Sequence, residues 1–286
     1  LIGLGGLGVV LGTLVAGVRV GVLSALATGV AGGVAVLGDG RLLVGIAVMV
    51  AAAIGLGVTA RWQWSHGLIV LPITLAFVAA ESPSQEPLAS GVAFGSAMAG
   101  YGVVTALAAS ILRPHAGEAA STHVTSWSRT WGYAGTLAVT AIATTVISLS
   151  VDWGHAGGWL MMTPFIVIQP YIHDGLRKAV NRAAGTLGGF LVASLLDQVF
   201  GPGAILTAAG LVLAVLAAVA MIEKWSYALY ALFLTPAIVI LESVGRPLQQ
   251  TDDNRLLATM IGVGLSLVAM AVAVPMYRRG APQAGG

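Results

Sequence analysis

The chain has 286 residues, 57% of them hydrophobic and only 8% charged, where a soluble domain carries roughly 25% charged residues. Its formal net charge is +2 and its mean hydropathy +0.93. These values exclude a water-soluble globule, and cations scattered one or two per loop exclude a nucleic-acid surface. There is no Cys, which removes disulfides, thiolate metal sites and cysteine nucleophiles.

Most apolar blocks run to about 16–24 residues, the length that crosses roughly 30 Å of hydrocarbon as helix. Barrel-type alternation with period two is absent, so helices must satisfy the backbone in lipid. The fold class expected is all-α, a polytopic transmembrane helix bundle. Charged or turn-rich breaks leave eleven apolar segments, at 1–11, 20–37, 41–60, 65–80, 89–112, 133–151, 157–172, 183–200, 203–222, 225–242 and 256–276. The first is too short to span and reads as the tail of a truncated helix, because Leu1 already lies in an apolar run with no signal-peptide pattern before it. The polar stretch 113–130 contains Arg113-Pro114-His115 and a Ser/Thr-rich run. It reads as a cytoplasmic linker between membrane halves 1–112 and 131–277, with a cytoplasmic tail at 278–286.

An internal repeat supports this division. A shift of 163 residues places Arg19 on Arg182, Gly38-Asp39-Gly40 on Gly201-Pro202-Gly203 and Arg61-Trp62 on Lys224-Trp225. Further along, Pro72 and Pro236 fall in corresponding segments that end at Glu81 and Glu242. The expectation is two parallel six-helix repeats with the first helix of repeat one missing. Alternating the loops between two sides collects ten Lys and Arg on one side and three (Arg41, Arg246 and Arg255) on the other. By the positive-inside rule the first side is cytoplasmic, and the C-terminus with it.

Gly3-Leu4-Gly5-Gly6-Leu7-Gly8 spells GxGxxG, but it lacks the strand and the downstream acid of a dinucleotide site. Four small-residue spacings (Gly17 to Gly21, Gly29 to Gly33, Gly91 to Gly95 and Gly185 to Gly189) point to close helix packing, with Thr186 in the last of them. Pro72, Pro164, Pro170 and Pro236 lie in or at the ends of apolar segments, where they break helices and mark candidate gating positions. Thr163, Gln169 and Thr235 stand beside them as hydrogen-bonding groups. Asp197 lies about one turn from the end of its segment and is the candidate proton-relay carboxylate, although a helix-end role suits it better. The five histidines show no ligand spacing, and no HExxH, P-loop or Ser/His/Asp grouping occurs, so no enzyme, metal site or cofactor is expected.

The densest group of cations is Arg177, Lys178 and Arg182, within six residues and directly before Gly185-Thr186-Leu187-Gly188-Gly189. These cations act first as topology determinants. A turn between Arg177 and Arg182 would also let them cradle a carboxylate, because a guanidinium binds that group bidentately.

The stretch from Trp159 to Val192 runs from an apolar helix through Gln169-Pro170 and the basic residues to Arg182-x-x-Gly185-Thr186-x-x-Gly189. In this it resembles the hallmark of the fusaric acid resistance (FUSC) family. The motif covers only that segment, the first half keeps weaker traces such as Arg19, and the large soluble domain of many relatives is absent. The resemblance implies a bacterial inner-membrane exporter of organic acids, aromatic ones included, or of related small toxic solutes. It implies a distant relation to plant malate channels. In its terms Arg177, Lys178, Arg182 and Gln169 would contact the substrate, and kinked helices would permit opening. The partners implied are a small organic anion and the lipid bilayer, with a homo-oligomer left open. A passive organic-anion channel and a non-transporting membrane scaffold are the competing readings.

Overall fold

The computed structural model describes residues 9–10, 12–14, 16–38, 40–62, 64–80, 86–112, 126–151, 153, 156–223, 225–243 and 248–279. Side chains are described for all of these except 66, 67, 112, 218, 221, 222, 242, 248–253 and 275–279. Most of segment 1–11, positions 113–125 of the linker, Glu81, the side chain of Glu242 and most of the tail therefore lie outside the described residues.

The described elements are all helical. They are α1 (Val18–Leu37), α2 (Leu42–Thr59), a 3-10 turn (Ala60–Trp62), α3 (Ser65–Leu68), α4 (Val70–Ala80), α5 (Pro87–Leu112), α6 (Trp127–Ser150), α7 (Gly157–Val167), α8 (Ile172–Phe200), α9 (Ala204–Ile222), α10 (Tyr227–Glu242) and α11 (Leu248–Arg279). Among the described residues six stretches are long and apolar enough to cross a membrane: Val18–Leu37, Leu42–Trp62, Pro87–Ile111, Trp127–Ser150, Ile172–Phe200 and Asn254–Val274. Their outward residues are apolar too, as at Leu43, Val104, Leu191 and Val272, so these helices present hydrocarbon to the surroundings. Ser126 and Ser226 start α6 and α10 by accepting the backbone N–H of Arg129 and Leu229.

Three sequence expectations change. Segment 65–80 is not one helix: it is interrupted at Ile69, between α3 and α4. Pro72 explains this, because its ring excludes the carbonyl of Leu68 and it has no N–H to offer that carbonyl. Segment 157–172 is not a span either. Helix α7 stops at Val167 after 11 residues, because a residue before proline is pushed out of the helical region and Gln169 precedes Pro170. Finally, the basic residues do not form a turn. Helix α8 begins at Ile172, right after that break, and carries Arg177, Lys178 and Arg182 without interruption to Phe200.

Packing places α7 at the centre. It is enclosed by α4, α6, α8 and α11, and ten of its 11 residues are buried. The main core joins residues of α1, α2 and α4 with residues of α6, α7 and α11, so it runs across the division expected at the linker. A smaller cluster of Ala193, Leu206, Val239 and Ile240 ties α8, α9 and α10 together. At one end of the bundle Arg61 lies over the ring of Trp127 at 4.2 Å and Arg129 over that of Tyr171 at 4.7 Å. Trp62 stacks on Trp64 there, and Trp127 on Trp131. Such amphipathic aromatics with cations are what a membrane–water boundary favours.

Candidate functional site

Helix α7 reads Gly157-Gly158-Trp159-Leu160-Met161-Met162-Thr163-Pro164-Phe165-Ile166-Val167. Its glycines let neighbours approach: a methyl on Gly158 would strike the ring of Phe77 from α4. Phe77 in turn meets Trp159 edge to face, with ring centroids 5.2 Å apart. Two arginines from different helices converge on the same tryptophan. The guanidinium carbon of Arg255 (α11) lies 3.6 Å from the ring centroid and that of Arg182 (α8) 5.8 Å. Their mutual separation therefore cannot exceed the sum of those two distances. Arg182 and Arg255 are only 3% and 4% exposed.

Arg182 sits ten residues into α8, about 15 Å along its axis, well away from the helix end. Its Nη1 donates a long, weak hydrogen bond of 3.4 Å to the Tyr227 hydroxyl, and its Nε has no hydrogen-bond partner. Among the described residues it has no salt bridge. The balance is unfavourable. An arginine deep in a membrane helix costs about 2.5–3.5 kcal/mol on insertion scales, and a buried unmet donor about 1–3 kcal/mol. A cation–π contact returns only about 0.5–2 kcal/mol. Ionisable residues held at such a cost mark function by default.

Each arginine is followed one turn on by a buried threonine. Thr186 and Thr259 share the helix faces of Arg182 and Arg255, and each is buried with no partner for its Oγ1. A helical threonine normally returns its hydroxyl to the carbonyl one turn back. Thr136, Thr140, Thr144 and Thr163 do so here, at 2.6–3.0 Å. Thr130 and Thr145 of α6 share the unpartnered state.

The other residues singled out from sequence are dispersed. Arg177 is exposed and Lys178 half-buried on α8, while Arg182 faces inward. The loop cations counted for orientation thus lose two members, Arg182 and Arg255, and nine remain against two. Gln169 is buried, and its amide donates to the carbonyls of Ile166 and Ile168, which caps the broken end of α7. Asp197 lies fifteen residues beyond Arg182 on α8, about 22 Å away along the axis, so it is not part of the arginine centre. Among the described residues no group of three metal-ligating side chains occurs.

Pro164 and Pro236 share one construction. Pro164 withdraws the donor that the carbonyl of Leu160 would have had. That carbonyl faces Gly262 of α11, where a methyl would lie 3.2 Å from it and 2.7 Å from Thr163 Cβ. Likewise the carbonyl of Leu232, left by Pro236, faces Gly189 of α8, where a methyl would lie 3.1 Å from it and 2.7 Å from Thr235 Cβ. Gly185 packs one turn earlier against Ala228 and Ala231. The sequence carries this device twice, as Leu160-Met161-Met162-Thr163-Pro164 and Leu232-Phe233-Leu234-Thr235-Pro236. Pro170 stands outside any helix, at the α7–α8 break.

Sequence reasoning missed Trp159 and Arg255 as partners of Arg182. A signal was present: Arg255-x-x-Ala258-Thr259 repeats the spacing of Arg182-x-x-Gly185-Thr186. Residues 139–269, from within α6 to within α11, match a family model described as fusaric acid resistance protein-like. No curated protein and no solved structure matches the chain.

Proposed function

We propose that the chain, whose residues 139–269 match the fusaric acid resistance protein-like model, is a membrane transporter of that family and exports small organic acids across a bacterial inner membrane. Aromatic acids and related small toxic solutes fall within this reading. The observation that carries it is Arg182, a buried arginine of the family-matching segment with an unmet donor inside the bundle. A donor-only guanidinium in that state suits an anion. Arg177 and Lys178, toward the start of the same helix, would draw the anion in from the cytoplasmic side. The linker and the C-terminus would face the same side, as the remaining loop cations favour. In this reading the two halves are related as parallel six-helix repeats, and Pro72, Pro164 and Pro236 supply the flexible points of the pathway.

A passive organic-anion channel is the second reading. The distance of Asp197 from the arginine centre favours it, since a proton-coupled carrier needs a titrating group near its site. Efflux of benzoate from proteoliposomes, with and without an uncoupler, separates the two. The exporter predicts gradient-dependent efflux that Arg182→Gln lowers while insertion stays intact. Efflux indifferent to the uncoupler selects the channel, and no efflux from the unsubstituted chain leaves a scaffold.

A further inference from the structure

We propose that Arg182 and Arg255, each with the threonine one turn beyond it, form a single oxyanion site inside the bundle. We infer that this site selects its ligand by a carboxylate group and not by an aromatic ring. The proposal rests on the transport reading above and adds Arg255, Thr186 and Thr259 to it.

Three observations converge. The two guanidiniums are gathered on one ring, so a small oxyanion can bridge them with charge-assisted hydrogen bonds of about 2.8 Å on each side. The groups left over are donors: Arg182 Nε, Thr186 Oγ1 and Thr259 Oγ1 are buried without partners. Arginine is donor-only and a hydroxyl can donate, so the missing partner is rich in acceptor oxygens. The ring itself is taken. Arg255 lies 3.6 Å over it, Phe77 meets it edge to face, and Trp159 is 6% exposed. A ligand ring therefore has no face of Trp159 on which to stack. The tryptophan holds the two cations together and leaves recognition to them.

The test is calorimetric titration of the whole chain in lipid nanodiscs with benzoate, cyclohexanecarboxylate and benzamide. The two carboxylates should bind within about threefold of each other and the uncharged amide should not bind. Arg255→Gln should weaken carboxylate binding by about tenfold or more, and Thr259→Val by about threefold. Should Arg255→Gln not give a monodisperse protein, Arg255→Lys and Thr259→Val decide, since both keep the volume of the site. The proposal falls if benzamide binds like benzoate or if cyclohexanecarboxylate fails to bind. It also falls if no carboxylate binds or if the substitutions at 255 and 259 leave affinity unchanged. Efflux measured in parallel keeps the two claims apart. Carboxylate binding without efflux overturns the exporter reading alone, and efflux with affinity untouched in the Arg255 and Thr259 variants overturns this site alone.

Discussion

The α1–α5 pair and the α8–α10 pair both use glycines four residues apart, yet they are built differently. In α1–α5 the glycines face each other. A methyl on Gly29 would lie 2.7 Å from the Gly95 carbonyl oxygen, one on Gly33 3.0 Å from that of Gly91, and the reverse contacts are equally close. Backbone meets backbone from both sides, with no proline inside either helix. In α8–α10 only α8 supplies glycine, and its partner carries Pro236 inside the helix. The first crossing has no soft element to yield. The second holds a helix whose ladder is already interrupted, next to the buried arginine of the site. The same small-residue spacing thus joins two uninterrupted helices in one crossing and a proline-containing helix in the other.

Substitutions can break this contrast. The largest effect is expected from Gly29→Leu, which would have to displace the Gly95 carbonyl and the Ala99 backbone. Loss of more than about 3 kcal/mol, read as a fall in detergent-resistant folded protein, is the expected outcome. Gly189→Leu meets the side chains of Thr235 and Pro236 and, at 3.1 Å, the Leu232 carbonyl, which Pro236 leaves without its helical donor. It should cost less, about 1–3 kcal/mol, and lower efflux more than it lowers folded yield. Pro236→Ala gives the Leu232 carbonyl its donor back and should raise stability by about 1–3 kcal/mol while efflux falls severalfold. Undiminished efflux in this variant would remove Pro236 from the mechanism. The smallest effect is expected at Gly55, where an added methyl meets nothing within 4 Å; Gly55→Ala should shift thermal stability by less than about 1 kcal/mol and leave efflux unchanged.

Where the helices lie was legible in the sequence, because hydropathy blocks and the lipid's demand on the backbone leave little choice. The glycine spacings were legible as well, but their pairing was not: nothing local to Gly29 says that Gly95 is its neighbour. Helix α7 misled for a physical reason. Hydropathy runs on past Val167, whereas the helix ends where Gln169 meets Pro170, a backbone constraint that composition does not register. The arginine centre was half legible. Arg182 stood out by its company of cations, but Arg255, sixty residues and more away in the chain, stood beside Asp252 and Asp253 and read as an ordinary loop cation. Only the crossing of α7, α8 and α11 brings the two arginines to one ring.

The shortness and enclosure of α7 bear on how the protein is assembled. With 11 residues, about 16 Å of helix, it is too brief to be retained in a bilayer on its own merit. Two of its four walls, α4 and α6, precede it in the chain, and the other two, α8 and α11, follow it. The enclosure of α7 is therefore complete only once α11 has been made. The arginine pair on Trp159 is completed only by α11, so a chain that stops after α10 would leave Trp159 with one arginine and an open side.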